Sequence, residues 1–203
     1  MKSQQSLLDI GIGNISAKRV LALQGISLDE VLYGTFKSCQ LSISNLLFLL
    51  KEHHLNLFKQ GGNFLDLFCG KGYLMKGFKQ YAAQWEVWGV DGNADVIADA
   101  STEYPHGHFT ESLCPPLPYP DNYFKIIYGK KIMDYADTHR GIYNVYPKTF
   151  NAQELFSEVH RALAPAGLYI ANDFLVEKDE KILISTGLSD KSYNHQRVFV
   201  KQE

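Results

Sequence analysis

Residues 64–72 read Phe64-Leu65-Asp66-Leu67-Phe68-Cys69-Gly70-Lys71-Gly72, "FLDLFCGKG", an apolar run that ends in a turn carrying two glycines. A short apolar run bounded by glycine predicts a buried parallel strand. The stretch beyond it, "GYLMKGFKQYAAQ", predicts a helix. Gly70 and Gly72 remove the β-carbon where the chain turns, so the backbone can approach a ligand closely. "WEVWGVD" predicts the next strand and ends in Asp91, about twenty residues on, where an acid is placed to accept hydrogen bonds from two ribose hydroxyls. Asp91 can also serve as the N-cap of the helix predicted over "NADVIADASTEY".

Further along, "HFTES" predicts a short third strand, "YFKIIYG" a fourth and "LYIANDF" a fifth. "AQELFSEVHRALAPAG" between the last two is a helix with Gly167 past its end. "EKDEKILISTG" reads as helical, and two small strands are expected around "DKSYN" and "QRVFVKQ". Alternating strand and helix implies an α/β fold, a Rossmann-like, doubly wound and mostly parallel seven-stranded sheet that ends in an antiparallel hairpin. Upstream the periodicity is helical. "SAKRVLALQG" gives a first helix, Ser27 can cap a second, and "SISNLLFLLKEHHLNLF" gives a strongly apolar third. The expectation is one domain over 1–203, with a helical N-terminal cap at 1–60 and an α/β core at 61–203. "LLDIGIGN", residues 7–14, imitates the glycine turn, but helix follows it and no strand with a terminal acid comes about twenty residues later. Asp9 and its glycines are read as shaping an N-terminal segment.

A hydrophobic fraction of 45% and a charged fraction of 21% are ordinary for a globular domain. With 20 Lys and Arg against 22 Asp and Glu, the balance argues against nucleic acid as a partner. The longest apolar run, Leu46 to Leu50, is too short to span a bilayer, and no signal-peptide core precedes it. Three cysteines without a CxxC pair fit neither a disulfide framework nor a zinc site, so a cytoplasmic protein without metal is expected, and the apolar N-terminal helices leave it a monomer or a homodimer.

The segment from 63 to 175 resembles class I S-adenosylmethionine-dependent methyltransferases, in particular the type 11 branch. "FLDLFCGKGYL" is similar to that family's first motif, and "VWGVDGNADVIADA" to its second strand with the ribose-binding acid. "LPYPDNYFKIIYGKKIMDYAD" is similar to its fourth-strand block, and "LFSEVHRALAPAGLYIANDF" to its last helix, turn and fifth strand. The resemblance implies S-adenosyl-L-methionine as cofactor. It implies that Asp66 orients the loop toward the cofactor's amino group, and that Phe68, Cys69, Gly70 and Gly72 line the methionine and ribose. Asp91 would hold the ribose diol and Gly92 would lie under the adenine. Glu111 with Ser112 would read the adenine edge, and Gly129 would face the methionine. The chain departs from the pattern in three places. Phe68 stands where glycine is usual, so the turn is expected to avoid positive φ there. Glu111 lies further from Leu117 than is usual, and Lys125 replaces an acid after Phe124.

Methyl transfer from a sulfonium needs mainly alignment, with a general base only for an acceptor that keeps its proton. Asp134, Tyr135, His139 and Tyr143, in an apparent insertion after the fourth strand, are the candidates for that base or for the substrate wall, together with Arg140 and Tyr146. "YGKKIMDY" lacks the Asn/Asp-Pro-Pro-aromatic cluster of amino-methylating nucleic-acid enzymes. Cys114 precedes its prolines and reads as a loop residue. A small-molecule acceptor is therefore the leading reading. RNA, DNA or protein methylation and a non-catalytic binding protein are the alternatives.

Overall fold

The computed structural model describes residues 28–130, 151–172, 177–192 and 197–202. "LLDIGIGN", the first expected helix, and Asp134, Tyr135, His139, Arg140, Tyr143 and Tyr146 lie outside them. The order is α1 (Leu28–His53), α2 (Leu55–Gln60), β1 (Gly62–Leu67), α3 (Tyr73–Tyr81), β2 (Trp85–Asp91), α4 (Ala94–Glu103), β3 (His108–Glu111) and β4 (Phe124–Lys130). Then follow α5 (Ala152–Ala162), β5 (Leu163–Asn172), α6 (Glu177–Ser185), β6 (Leu188–Asp190) and β7 (Arg197–Lys201).

The strands form one seven-stranded sheet in the order β3-β2-β1-β4-β5-β7-β6. From β3 across to β5 every pair is parallel, whereas β7 runs antiparallel to β5 and to β6. Strand order reverses between β1 and β4, so the β1–α3 turn opens at the switch point where ligands bind in such sheets. The apolar residues of β1 enter two separate cores, which is why Phe64 and Leu65 can be apolar side by side. Phe64 stacks on Phe78 of α3 with ring centroids 4.5 Å apart. Leu65 and Leu67 join Leu155, Phe156 and Val159 of α5 on the opposite face.

The N-terminal helices differ from expectation. The second and third merge into α1, and a break at His54 sets Leu55–Gln60 apart as α2. The long helix is held by packing: Ile43, Leu46, Leu47, Leu49 and Leu50 are buried, and Ile43 sits where a β-carbon on Gly77 of α3 would stand. At the other end, β6 stands at Leu188–Asp190 and reaches only the first residue of "DKSYN". Asp190 Oδ1 accepts from the N–H of Ser192 at 2.8 Å, which turns the chain out of the strand. The turn expected at "LAPAG" is an excursion within β5. Leu163 pairs with Phe124 and Leu168 with Ile126, and the residues between bulge outward with Ala166 at φ 57°.

Arg161 of α5 fastens the loop that leads from β3 into β4. It donates to the carbonyls of Leu117 (3.0 Å) and Tyr119 (2.8 Å), and to the carboxylates of Asp121 (2.7 Å) and Glu158 (2.8 Å). Glu158 also accepts from the Leu117 N–H at 2.9 Å. The Arg161 hydrogen bond holds the Glu158 carboxyl below its ordinary value of 4.5. A depressed folded pKa contributes stability that is complete above the unfolded value and is lost as pH falls through the folded one. Glu158→Gln is therefore expected to cost on the order of 1 kcal/mol in urea unfolding at neutral pH. The gap to wild type should close in acid, below the ordinary Glu pKa; a gap that persists there contradicts this role.

Candidate cofactor site

The turn after β1 is built by hydrogen bonds that leave little freedom. The Cys69 N–H donates to the Val90 carbonyl at 3.0 Å, and the Gly72 N–H donates to the Cys69 carbonyl at 3.0 Å. Gly70 and Gly72 have φ of 52° and 69°, the left-handed region that favours glycine. Their surroundings differ. A β-carbon on Gly72 would stand 2.7 Å from the Phe109 ring, whereas one on Gly70 would meet nothing within 4 Å among the described residues. Gly72 is thus required by packing, and Gly70 borders open space. Phe68 corrects the expectation from sequence: it too lies in the left-handed region, at φ 60°. The hydrogen bonds from Cys69 and Gly72 fix the turn's path, and the aromatic ring packs against the apolar cluster on the α5 face. For a non-glycine residue that conformation costs about 1–2 kcal/mol, a strain that recurs at functional sites.

Asp91 stands at the carboxyl end of β2, beside this turn. Its Oδ2 accepts from the Gly70 N–H at 3.1 Å and its Oδ1 from the Asn93 N–H at 3.0 Å. Burial raises its pKa above the ordinary value, while the hydrogen bonds from the Asn93, Gly70 and Gly92 backbone oppose the rise. The helix-capping role belongs to Asn93, whose Oδ1 accepts from the N–H groups of Asp95 and Val96. Asp91 is consequently not the N-cap of α4. It joins the β1–α3 turn to the β2–α4 turn, with each carboxylate oxygen retaining acceptor capacity.

The other candidates fall around this pair. Glu111, exposed at the end of β3, is in register with Asp91, and the Ser112 N–H donates to the Asp91 carbonyl at 3.0 Å. Gly129, near the end of β4, pairs with Leu67. Asp66 is buried, 4% exposed, with Gly89 and Tyr128 beside it on the flanking strands. Cys69 turns its thiol toward Gly89, where an added β-carbon would lie 2.7 Å from its sulfur. Burial pushes the Cys69 thiol well up and that of Cys114 to about 12, so neither is an activated nucleophile.

The histidines flanking Gly107 are engaged in aromatic contacts. His108 stacks on Trp88 at 4.2 Å, and His106 meets the Tyr104 ring edge-on. Among the described residues no three His, Cys, Asp or Glu side chains gather as metal ligands, and no helix is long and apolar enough to cross a membrane. Lys71 is a residue that sequence reasoning passed over. Its ammonium pairs with Asp99 of α4 at 2.8 Å, a partner 28 residues away that no local spacing announces.

This geometry fits a nucleoside-bearing cofactor: open space over Gly70, and an acid with spare acceptor capacity beside it. Among curated proteins none matches the sequence significantly. Solved structures share the fold at low identity. A TehB-like SAM-dependent methyltransferase from Corynebacterium glutamicum is 14% identical with a TM-score of 0.55, over 71% of this chain and 82% of that one. Phosphoethanolamine N-methyltransferase 2 from Haemonchus contortus, in complex with S-adenosyl-L-methionine, is 17% identical with a TM-score of 0.56, over 71% of this chain and 36% of that one. A Haloferax volcanii protein solved with the Trm112 methyltransferase activator is 14% identical with a TM-score of 0.53, over 66% of this chain. The present chain spans 64% of it, just under two thirds. The sequence itself matches the methyltransferase-domain family over residues 64–167, from the first residue of the quoted strand to the glycine before Leu168. The chain belongs to the methyltransferase-domain family, on the Rossmann-like class I architecture of S-adenosylmethionine-dependent enzymes.

Proposed function

We propose that this methyltransferase acts on a small-molecule acceptor, with S-adenosylmethionine held between the β1–α3 and β2–α4 turns. The observation that carries the cofactor assignment is the open space over Gly70 beside the Asp91 carboxylate. In this reading Asp91 accepts from the ribose diol and Gly92 lies under the adenine. Glu111 and Ser112, next to Asp91 across β3, read the adenine edge. Asp66, Phe68, Cys69, Gly70, Gly72 and Gly129 surround the amino-acid portion.

When bound, S-adenosylmethionine supplies a sulfonium whose methyl carbon is already activated for in-line displacement. The chain's contribution is alignment and exclusion of water. An acceptor that keeps its proton needs a base. Asp134, Tyr135, His139 and Tyr143 follow the carboxyl end of β4 in sequence, and these are the groups proposed to wall the acceptor or take that proton.

One feature favours a small acceptor. The charge balance of 20 basic to 22 acidic residues gives no general excess to track a phosphate backbone. The N-terminal helices pack onto the core through Ile43 and Gly77 of α3, consistent with a single domain. The same reading has the chain working as a cytoplasmic monomer or homodimer. Incubation with methyl-labelled S-adenosylmethionine and fractionated cell extract tests it. Label is expected among small metabolites. Label confined to RNA, DNA or protein overturns the acceptor class, and bound cofactor without turnover on any fraction points to a non-catalytic binder.

A further inference from the structure

The glycine turn is fastened at three consecutive residues, and all three fastenings come from the β2–α4–β3 unit. The Gly70 N–H donates to Asp91 at the end of β2, the Lys71 ammonium pairs with Asp99 on α4, and Gly72 lies under Phe109 of β3. The first and third hold the backbone at one point each. Lys71 reaches furthest, from the turn to the second turn of α4, and that helix starts directly after Asp91, Gly92 and Asn93. We infer that the Lys71–Asp99 pair is a positioning device for the cofactor pocket: it sets the spacing between the β1–α3 turn and the β2–α4 turn without touching the ligand. The inference rests on the cofactor reading given above.

The pair has the geometry for this role. Nζ and Oδ2 are 2.8 Å apart, and the Lys71 side chain is 16% exposed against 51% for Asp99, so the cation is largely sheltered while its partner faces water. The hydrogen bond to Asp99 raises the Lys71 pKa above its ordinary value, keeping the ammonium charged throughout the neutral range. Glu103 lies near enough to add to that field. A flexible loop that must be ordered before it can bind loses affinity in proportion to the fraction of time it is misplaced. Fastening both turns to one helix removes that loss.

The test is calorimetric titration of S-adenosylhomocysteine into the full-length chain and into K71M, D99N, the double variant and the charge-reversed K71E/D99K. Thermal unfolding of each is recorded alongside. Both single variants are expected to weaken binding by about three- to fivefold, the range for an ion pair of this exposure. The double variant should be no weaker than either single one, and K71E/D99K should regain most of the loss. Loss in K71M with none in D99N means that Lys71 meets the ligand itself and overturns the positioning role. Lower melting temperatures with unchanged affinity make the pair merely structural and overturn it equally. Wild-type protein that fails to bind overturns the cofactor reading, and this inference with it; wild type that binds while both single variants match it overturns this inference alone.

Discussion

Asp91→Ala is expected to weaken S-adenosylhomocysteine binding by at least about 100-fold, since two charge-assisted hydrogen bonds at about 1.5 kcal/mol each are lost. The carboxylate is committed on one side to the chain, accepting from the Gly70 and Asn93 N–H groups. Its remaining lone pairs are what a ribose diol would meet. Removing the side chain also releases Gly70, so Asp91→Asn is the necessary companion. The amide keeps one acceptor oxygen, and its affinity should fall between those of wild type and alanine. Calorimetry and thermal unfolding of both variants check this. Alanine binding as tightly as wild type would remove Asp91 from the site.

The second large effect separates two glycines that look alike in the sequence. Gly70→Leu places a side chain into open space, so the fold should lose only the cost of φ 52° for a non-glycine residue, about 1–2 kcal/mol. Cofactor binding should disappear, because that space is where the proposed site holds the ligand. Gly72→Ala drives a β-carbon to within 2.7 Å of the Phe109 ring at φ 69°. Strain of about 1–2 kcal/mol and overpacking of about 1–3 kcal/mol add, for a destabilisation of about 2–5 kcal/mol in urea unfolding. The two variants should thus fail in different assays. A Gly70→Leu protein that retains full affinity would show that the cofactor does not cross this turn.

These two glycines also mark how far the sequence could be read. β1 at Gly62–Leu67 was legible because its apolar residues are buried in both cores, and β2 at Trp85–Asp91 with the helix after it because that strand ends on an acid. The sheet with its antiparallel edge followed from the alternation of strand and helix. Features set by distant partners were not legible. The merged α1 depends on packing against Gly77, and the shifted β6 depends on its antiparallel pairing with β7, Leu188 opposite Lys201. Phe68 adopts a glycine conformation because hydrogen bonds at Cys69 and Gly72 dictate the path of the turn. Local preference lost to tertiary constraint there. The choice between Asp91 and Asn93 as helix cap needed the coordinates, since both are capping residues and only two positions separate them.

The β1–α3 turn and Asp91 are the proposed walls of the cofactor site, and cofactor binding between them is the central claim. It is tested most directly by titrating S-adenosylhomocysteine into the wild-type chain in a calorimeter. Saturable one-site binding with a dissociation constant below the millimolar range is the expected result. No heat of binding up to millimolar ligand, from folded protein, would contradict it.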